Sequence, residues 1–184
     1  MKIIEQEEVR KLLQPKDCIQ LMAEALKGLE SGEYAQPARL ITVMPNTAKF
    51  GFMPAYVGDY FGAKVISAFA PNMGTKYPSH IGYVMLFESA HSTVAGMIEA
   101  GSITEIRTGA VSAAATDLLA RKDSHKLALI GAGAQARSHL AAIREIRDIT
   151  SVTVYDLFPQ AAERFAKDMH EKYKIPVVVC STVK

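Results

Sequence analysis

The segment Leu129-Ile130-Gly131-Ala132-Gly133-Ala134-Gln135-Ala136 limits what this chain can fold into more than any other stretch. An apolar run at 126–130 stops at Gly131, and an amphipathic stretch at 134–147 starts just after it. The spacing is Gly131-x-Gly133-x-x-Ala136. Taken alone, such a run closes any strand-to-helix turn. Placed between a strand and a helix, each position has a physical role. Gly131 permits a tight turn, Gly133 leaves the backbone bare towards a diphosphate, and Ala136 keeps helix and strand close. The helix N-terminus then offers free amides and a partial positive charge, which attract phosphate. Downstream the pattern alternates: strand 151–156, helix 160–173, strand 176–180. That is βαβαβ, one half of a doubly wound, Rossmann-type parallel sheet, and the fold class expected is α/β.

The second of these strands ends in Tyr155-Asp156, 25 positions after Gly131. An acidic side chain there accepts hydrogen bonds from the adenosine ribose hydroxyls and repels a 2′-phosphate, which favours NAD over NADP. The competing reading makes Asp156 a helix N-cap ahead of Pro159.

Before residue 121 the pattern is different. A short helix is expected at 5–13. A longer one opens at Pro15, carries Ile19, Met22, Ala23, Leu26 and Leu29 at helical spacing, and closes at Gly32. Prolines and glycines break 33–60 into short strands and turns, and further strands are expected at 62–69, 81–87 and 92–99. Ser102 and Glu105 read as a capping box for a helix reaching about Arg121. Ala110, Ala113, Ala114 and Ala115 give that helix a surface that allows close backbone approach. Two domains follow: an α+β substrate-binding and dimerisation unit at 1–120, and the first half of a nucleotide-binding domain at 121–184.

A net charge of +2 with no long basic run gives no pull towards nucleic acid or an anionic membrane. No apolar run reaches the roughly 18–20 residues that span a bilayer. The N-terminal residues are too charged for a signal peptide. The two cysteines, Cys18 and Cys180, read as reduced thiols in a cytoplasmic protein. No histidine has metal-ligand spacing, so no metal site is expected.

Three cations stand out. Lys64 lies within an apolar strand, on the face of Ile66 and Ala68. Arg107 lies near a helix start, where the dipole disfavours a cation. With Arg39 they fit an anionic ligand, or else each is exposed or paired locally.

The stretches "GAKVIS" (62–67), "PSHIGYVMLFE" (78–88), "GSITEIRTGAVSAAATDLLAR" (101–121) and "LIGAGAQAR" (129–137) together resemble the ornithine cyclodeaminase/μ-crystallin family, from about Gln36 to Lys184. The resemblance implies a homodimer of two-domain subunits. It implies an NAD-dependent enzyme moving hydride at the Cα–N bond of a small amino or imino acid, whose carboxylate is held by Arg39, Lys64 and Arg107. Lys64 would relay a proton. His80, Arg107 and Thr108 would meet the nicotinamide half of the cofactor, Ala134 and Gln135 the diphosphate, and Asp156 the ribose. Gly51 stands where ornithine-specific members carry an acid, two places before Met53-Pro54. This weakens ornithine as substrate and leaves cyclic ketimine reduction and an alanine-type dehydrogenase open. The family continues beyond Lys184 with the rest of the nucleotide fold and a proton-handling aspartate, so the chain reads as truncated within that domain. A non-catalytic binder of nucleotide or small acids, or an inactive fragment, is the rival reading.

Overall fold

The computed structural model describes residues 1–183. Two compact units emerge: Met1–Gln14 with Ala23–Thr104, and Pro15–Met22 with the residues from Glu105 onward. The division falls inside two helices, α2 (Pro15–Ser31) and α3 (Ala100–Leu119), whereas the sequence placed its break at 120/121, where α3 has ended.

The first unit is built on a six-stranded sheet in the order β1-β6-β5-β4-β3-β2. Its strands are β1 (Lys2–Ile4), β2 (Leu40–Val43), β3 (Lys49–Val57), β4 (Tyr60–Ala68), β5 (His80–Glu88) and β6 (Val94–Glu99), with α1 (Gln6–Leu12) following β1. From β2 to β6 every pairing is antiparallel. β1 was not expected from sequence. Three residues carry no periodicity, and the strand exists because Lys2, Ile3 and Ile4 pair in parallel with Gly96, Met97 and Ile98. Gly32 closes α2 as expected.

The register fixes which side chains share a face. Phe50, Phe52 and Tyr56 alternate along β3, and the ladder sets Ser67, Val65 and Phe61 of β4 opposite them. Phe61 stacks on Phe87 of β5, with ring centroids 5.2 Å apart. The other face carries Met53, Lys64 and Val84 in one row.

α3 starts two residues earlier than the capping-box pattern implies. β6 runs straight into it, and the Glu99 carboxylate caps it by accepting hydrogen bonds from the amides of Gly101 and Ser102, the latter at 2.8 Å. Ser102 is a fully buried residue inside the first turn, not the cap. The reason is geometric: the glutamate at the strand end reaches the amides of Gly101 and Ser102, so the helix is already under way where the serine would have capped it.

The second unit holds a parallel sheet, β7 (Lys126–Ile130), β8 (Ser151–Tyr155) and β9 (Val177–Val179), in the order β7-β8-β9. α4 (Ala134–Ile143) and α5 (Pro159–Tyr173) make the crossovers. This is the βαβαβ arrangement read from sequence. Leu140, Val152, Val154 and Phe165 are buried at its core, with Ala113 of α3 among them. Gly109 of α3 lies against the main chain of α4: a Cβ there would stand 2.5 Å from the Ser138 carbonyl oxygen. The expected close approach along the small-residue helix is therefore a contact of α3 with α4. α4 ends at Ile143, four residues short of the expected limit, in a turn that carries the buried Arg147.

Candidate functional site

Gly131 has φ +98°, a conformation open to glycine and rarely adopted by other residues, and it follows directly on the last residue of β7. Its amide donates to the Tyr155 carbonyl at 2.7 Å, which ties the turn to the end of β8. Gly133 is the N-cap of α4, with no side chain capping the helix, and a Cβ built on it meets nothing within 4 Å. The first-turn amides of α4, including those of Ala134 and Gln135, have no intrahelical acceptor. Both residues are exposed. Helix start and bare backbone thus coincide as a phosphate cradle requires.

Asp156 is not the N-cap of α5. That position is Phe158, without a side-chain cap. The Asp156 carboxylate accepts from the Phe158 amide at 2.9 Å and, with its other oxygen, from the Ala132 amide inside the glycine turn at 2.7 Å. These two hydrogen bonds, Phe158 first and Ala132 second, hold its carboxyl below the usual carboxylate range, opposed by partial burial. A depressed folded pKa means that the charged form is the one stabilised. Its contribution is complete above the unfolded pKa and is lost as pH falls through the folded value. At neutral pH, Asp156 presents a fixed negative charge beside the turn.

Arg137 follows the turn directly in sequence and does not serve it. Its guanidinium pairs with Asp168 of α5 at 2.8 Å and lies over the Phe165 ring.

On the first unit, Arg39 is exposed and immediately precedes β2. Lys64 is half-buried on β4, between Met53 and Val84, and its Nζ donates to Thr104 Oγ1 at 3.4 Å. His80 opens β5 and is exposed, its Nδ1 3.1 Å from Ser79 Oγ. On the second unit, Arg107 is exposed and Thr108 half-buried. Because α3 begins at Ala100, Arg107 is its eighth residue, and the helix-dipole argument drawn from sequence does not apply to it, since that field fades within the first turn. Its environment includes Cys18, whose thiol is pushed up by burial against the opposing pull of the Arg107 charge. A buried thiol raised in this way is a packing residue, not a nucleophile.

Sequence reasoning missed three residues that hold these elements: Glu99, which caps α3; Thr104, which meets Lys64; and Arg147, which closes the far end of α3. Each acts through a partner that becomes a neighbour only on folding. The single sequence signal was a glutamate immediately before the helix.

A family model described as the ornithine cyclodeaminase/mu-crystallin family matches residues 1–184. The chain belongs to that family. It is 32% identical over 166 residues to ketimine reductase mu-crystallin of Mus musculus, covering 89% of this chain and 51% of that protein. Among solved structures it matches Thermococcus litoralis Δ1-pyrroline-2-carboxylate reductase, determined with NADH and L-proline. The TM-score is 0.92 at 32% identity, over 100% of this chain and 58% of that one. It also matches an archaeal alanine dehydrogenase dimer with bound NAD, with a TM-score of 0.91 at 28% identity, over 97% of this chain and 55% of that one. As a member of the family, the chain spans about half the length of the curated relatives it matches.

Proposed function

We propose that this chain binds NAD through residues 121–184 and contributes, through residues 1–120, the carboxylate site of an enzyme acting at the Cα–N bond of a small amino or imino acid. The observation that carries the reading is the Asp156 carboxylate, hydrogen-bonded to the glycine turn and held charged beside it. A ribose with free hydroxyls suits that charge, and a 2′-phosphate is repelled by it. Gly131, Gly133, Ala134 and Gln135 hold the diphosphate. His80, Arg107 and Thr108 border the nicotinamide. Arg39, Lys64 and Arg107 hold the substrate carboxylate, and Lys64 carries the proton. When bound, the dinucleotide supplies or accepts the hydride; the protein supplies orientation and charge. Relatives named for ketimine and pyrroline-2-carboxylate reduction support an imino acid, cyclic in the second case, as the substrate class, and Gly51 in place of an acid speaks against ornithine.

NADH fluorescence titrations test this directly. NADPH is expected to bind at least about tenfold more weakly than NADH, about 1.4 kcal/mol. Equal affinities would remove Asp156 from the ribose site. Following absorbance at 340 nm with a panel of cyclic imines and amino acids separates catalysis from mere binding. NADH binding with no absorbance change on any of them is the signature of a carrier.

The same reading includes a homodimer, as in the alanine dehydrogenase neighbour, formed through the β-sheet of the first unit. Phe50, Phe52 and Tyr56 share one face of β3, and each keeps more than two-fifths of its surface exposed. An aromatic face of this kind on an antiparallel sheet asks for a covering layer. Phe52→Glu is expected to yield monomer in analytical ultracentrifugation; an unchanged dimer would place the interface elsewhere.

A further inference from the structure

We propose that Thr104 is a positioning residue for Lys64, its hydroxyl accepting a hydrogen bond from the ammonium and fixing the direction in which that group leaves β4. The inference rests on the proposed role of Lys64 in the site, and it adds a residue to which that proposal gave no part.

The geometry is over-determined. Lys64, Val84 and Ile98 stand in one row across β4, β5 and β6. One residue after Ile98, β6 ends at Glu99, and α3 begins at Ala100 with no intervening loop. The Glu99 carboxylate locks the first amides of α3, which fixes the rotation of the helix about its axis. Thr104, the fifth residue, is thereby set at a constant distance from the lysine two strands away, and Lys64 Nζ lies 3.4 Å from its Oγ1.

The residue types suit this role. Lysine carries a compact charge on a flexible four-carbon stem and orients itself poorly. Threonine in a helix has few χ1 states, so its hydroxyl is a stiff acceptor. A hydroxyl also adds no charge of its own.

Competitive acetylation of the intact chain at neutral pH, with each lysine quantified by mass spectrometry, reads the state of the Lys64 amine. Loss of the hydrogen bond in Thr104→Val should speed acetylation of Lys64 by about three- to tenfold, while the other lysines keep their rates. Thr104→Ser, which restores the hydroxyl, should stay within about twofold of the unaltered chain. An unchanged Lys64 rate in Thr104→Val, or an equal rise in Thr104→Ser, overturns the proposal. If Thr104→Val unfolds, all lysines accelerate together. The unaltered chain labelled with 13Cε-lysine then gives the answer: a held Lys64 shows two inequivalent ε-protons, and a single averaged signal overturns the assignment. A separate arm addresses the substrate site itself. NADH with L-proline should shield Lys64 from acetylation in the unaltered chain. Absence of shielding refutes the substrate role of Lys64 and leaves the comparison of the Thr104 variants intact.

Discussion

Replacing Arg107 with alanine is expected to weaken binding of a carboxylate-bearing substrate by about thirtyfold or more, while NADH affinity stays within about tenfold. A guanidinium offers two parallel N–H donors to a carboxylate, and losing such a charged pair typically costs about 2–5 kcal/mol. Arg107 is exposed, so its removal leaves no hole in the core. The Cys18 thiol, which feels the Arg107 charge, is held in its protonated form by burial, and losing that charge pushes it further the same way. The fold should therefore survive, with an unchanged far-ultraviolet spectrum. Arg107→Lys is the sharper comparison. It keeps the charge and loses the fork, so partial recovery identifies bidentate recognition and full recovery a point charge. Calorimetric titration of substrate and NADH into each variant gives both affinities. Equal loss of the two ligands contradicts the assigned role, because a residue that grips the substrate carboxylate and only borders the nicotinamide should weaken the substrate more than the cofactor.

Arg147→Ala should destabilise the chain by about 2–3 kcal/mol, a sizeable share of the roughly 5–15 kcal/mol that holds a domain folded. Few side chains here do more. The guanidinium is buried, donates to Asp117 Oδ1 at 2.6 Å, and donates further to the carbonyls of Thr116, Asp117, Ala120 and Arg121 at 3.2–3.4 Å. Ala120 and Arg121 lie just past the last residue of α3, and the guanidinium ties their carbonyls back to Asp117 on the helix. Truncation removes the ion pair and these ties together, while the Thr116, Asp117 and Arg121 carbonyls keep the Ala120 amide, the Lys122 ammonium and the Ser124 amide as donors. Arg147→Lys should recover only a fraction, since one ammonium cannot reach so many acceptors. Urea unfolding measures the difference, and a loss under about 1 kcal/mol would mean that water replaces the guanidinium.

The same pair sets part of the acid sensitivity. The Asp117 carboxyl is held below the usual carboxylate range by Arg147 first and Lys122 second. Its folded pKa is depressed, so the stability it brings is present above the unfolded pKa and fades as pH falls through the folded one. In Arg147→Ala that acid-side loss should shrink, because the larger cause of the depression has gone.

The features legible in sequence are those that a few adjacent residues decide. Gly131 announces its own positive φ, and Gly32 ends α2 where it stands. The alternation after residue 125 yields the strands and helices of the parallel sheet in order, because hydrophobic period reports directly on local geometry. Boundaries were less legible where a residue outside the expected helix supplies the cap. Ser102 matches a capping pattern, yet Glu99 takes the position. Arg107 then lies deeper in the helix than the pattern implied, and an electrostatic argument built on that placement loses its footing.

By itself, the sequence determined a nucleotide-type turn, the alternating half sheet behind it and the family to which both belong, since each follows from local backbone conformation or from motifs of adjacent residues. Tertiary structure alone decided that β1 exists, that Asp156 binds back onto the turn at Ala132 while remaining charged, that Lys64 meets Thr104, and that Arg147 seals α3. The partners in these contacts stand between 24 and 94 positions apart. No local preference encodes such a meeting. Only the register of the sheets and the rotation of a capped helix bring those atoms within hydrogen-bonding distance.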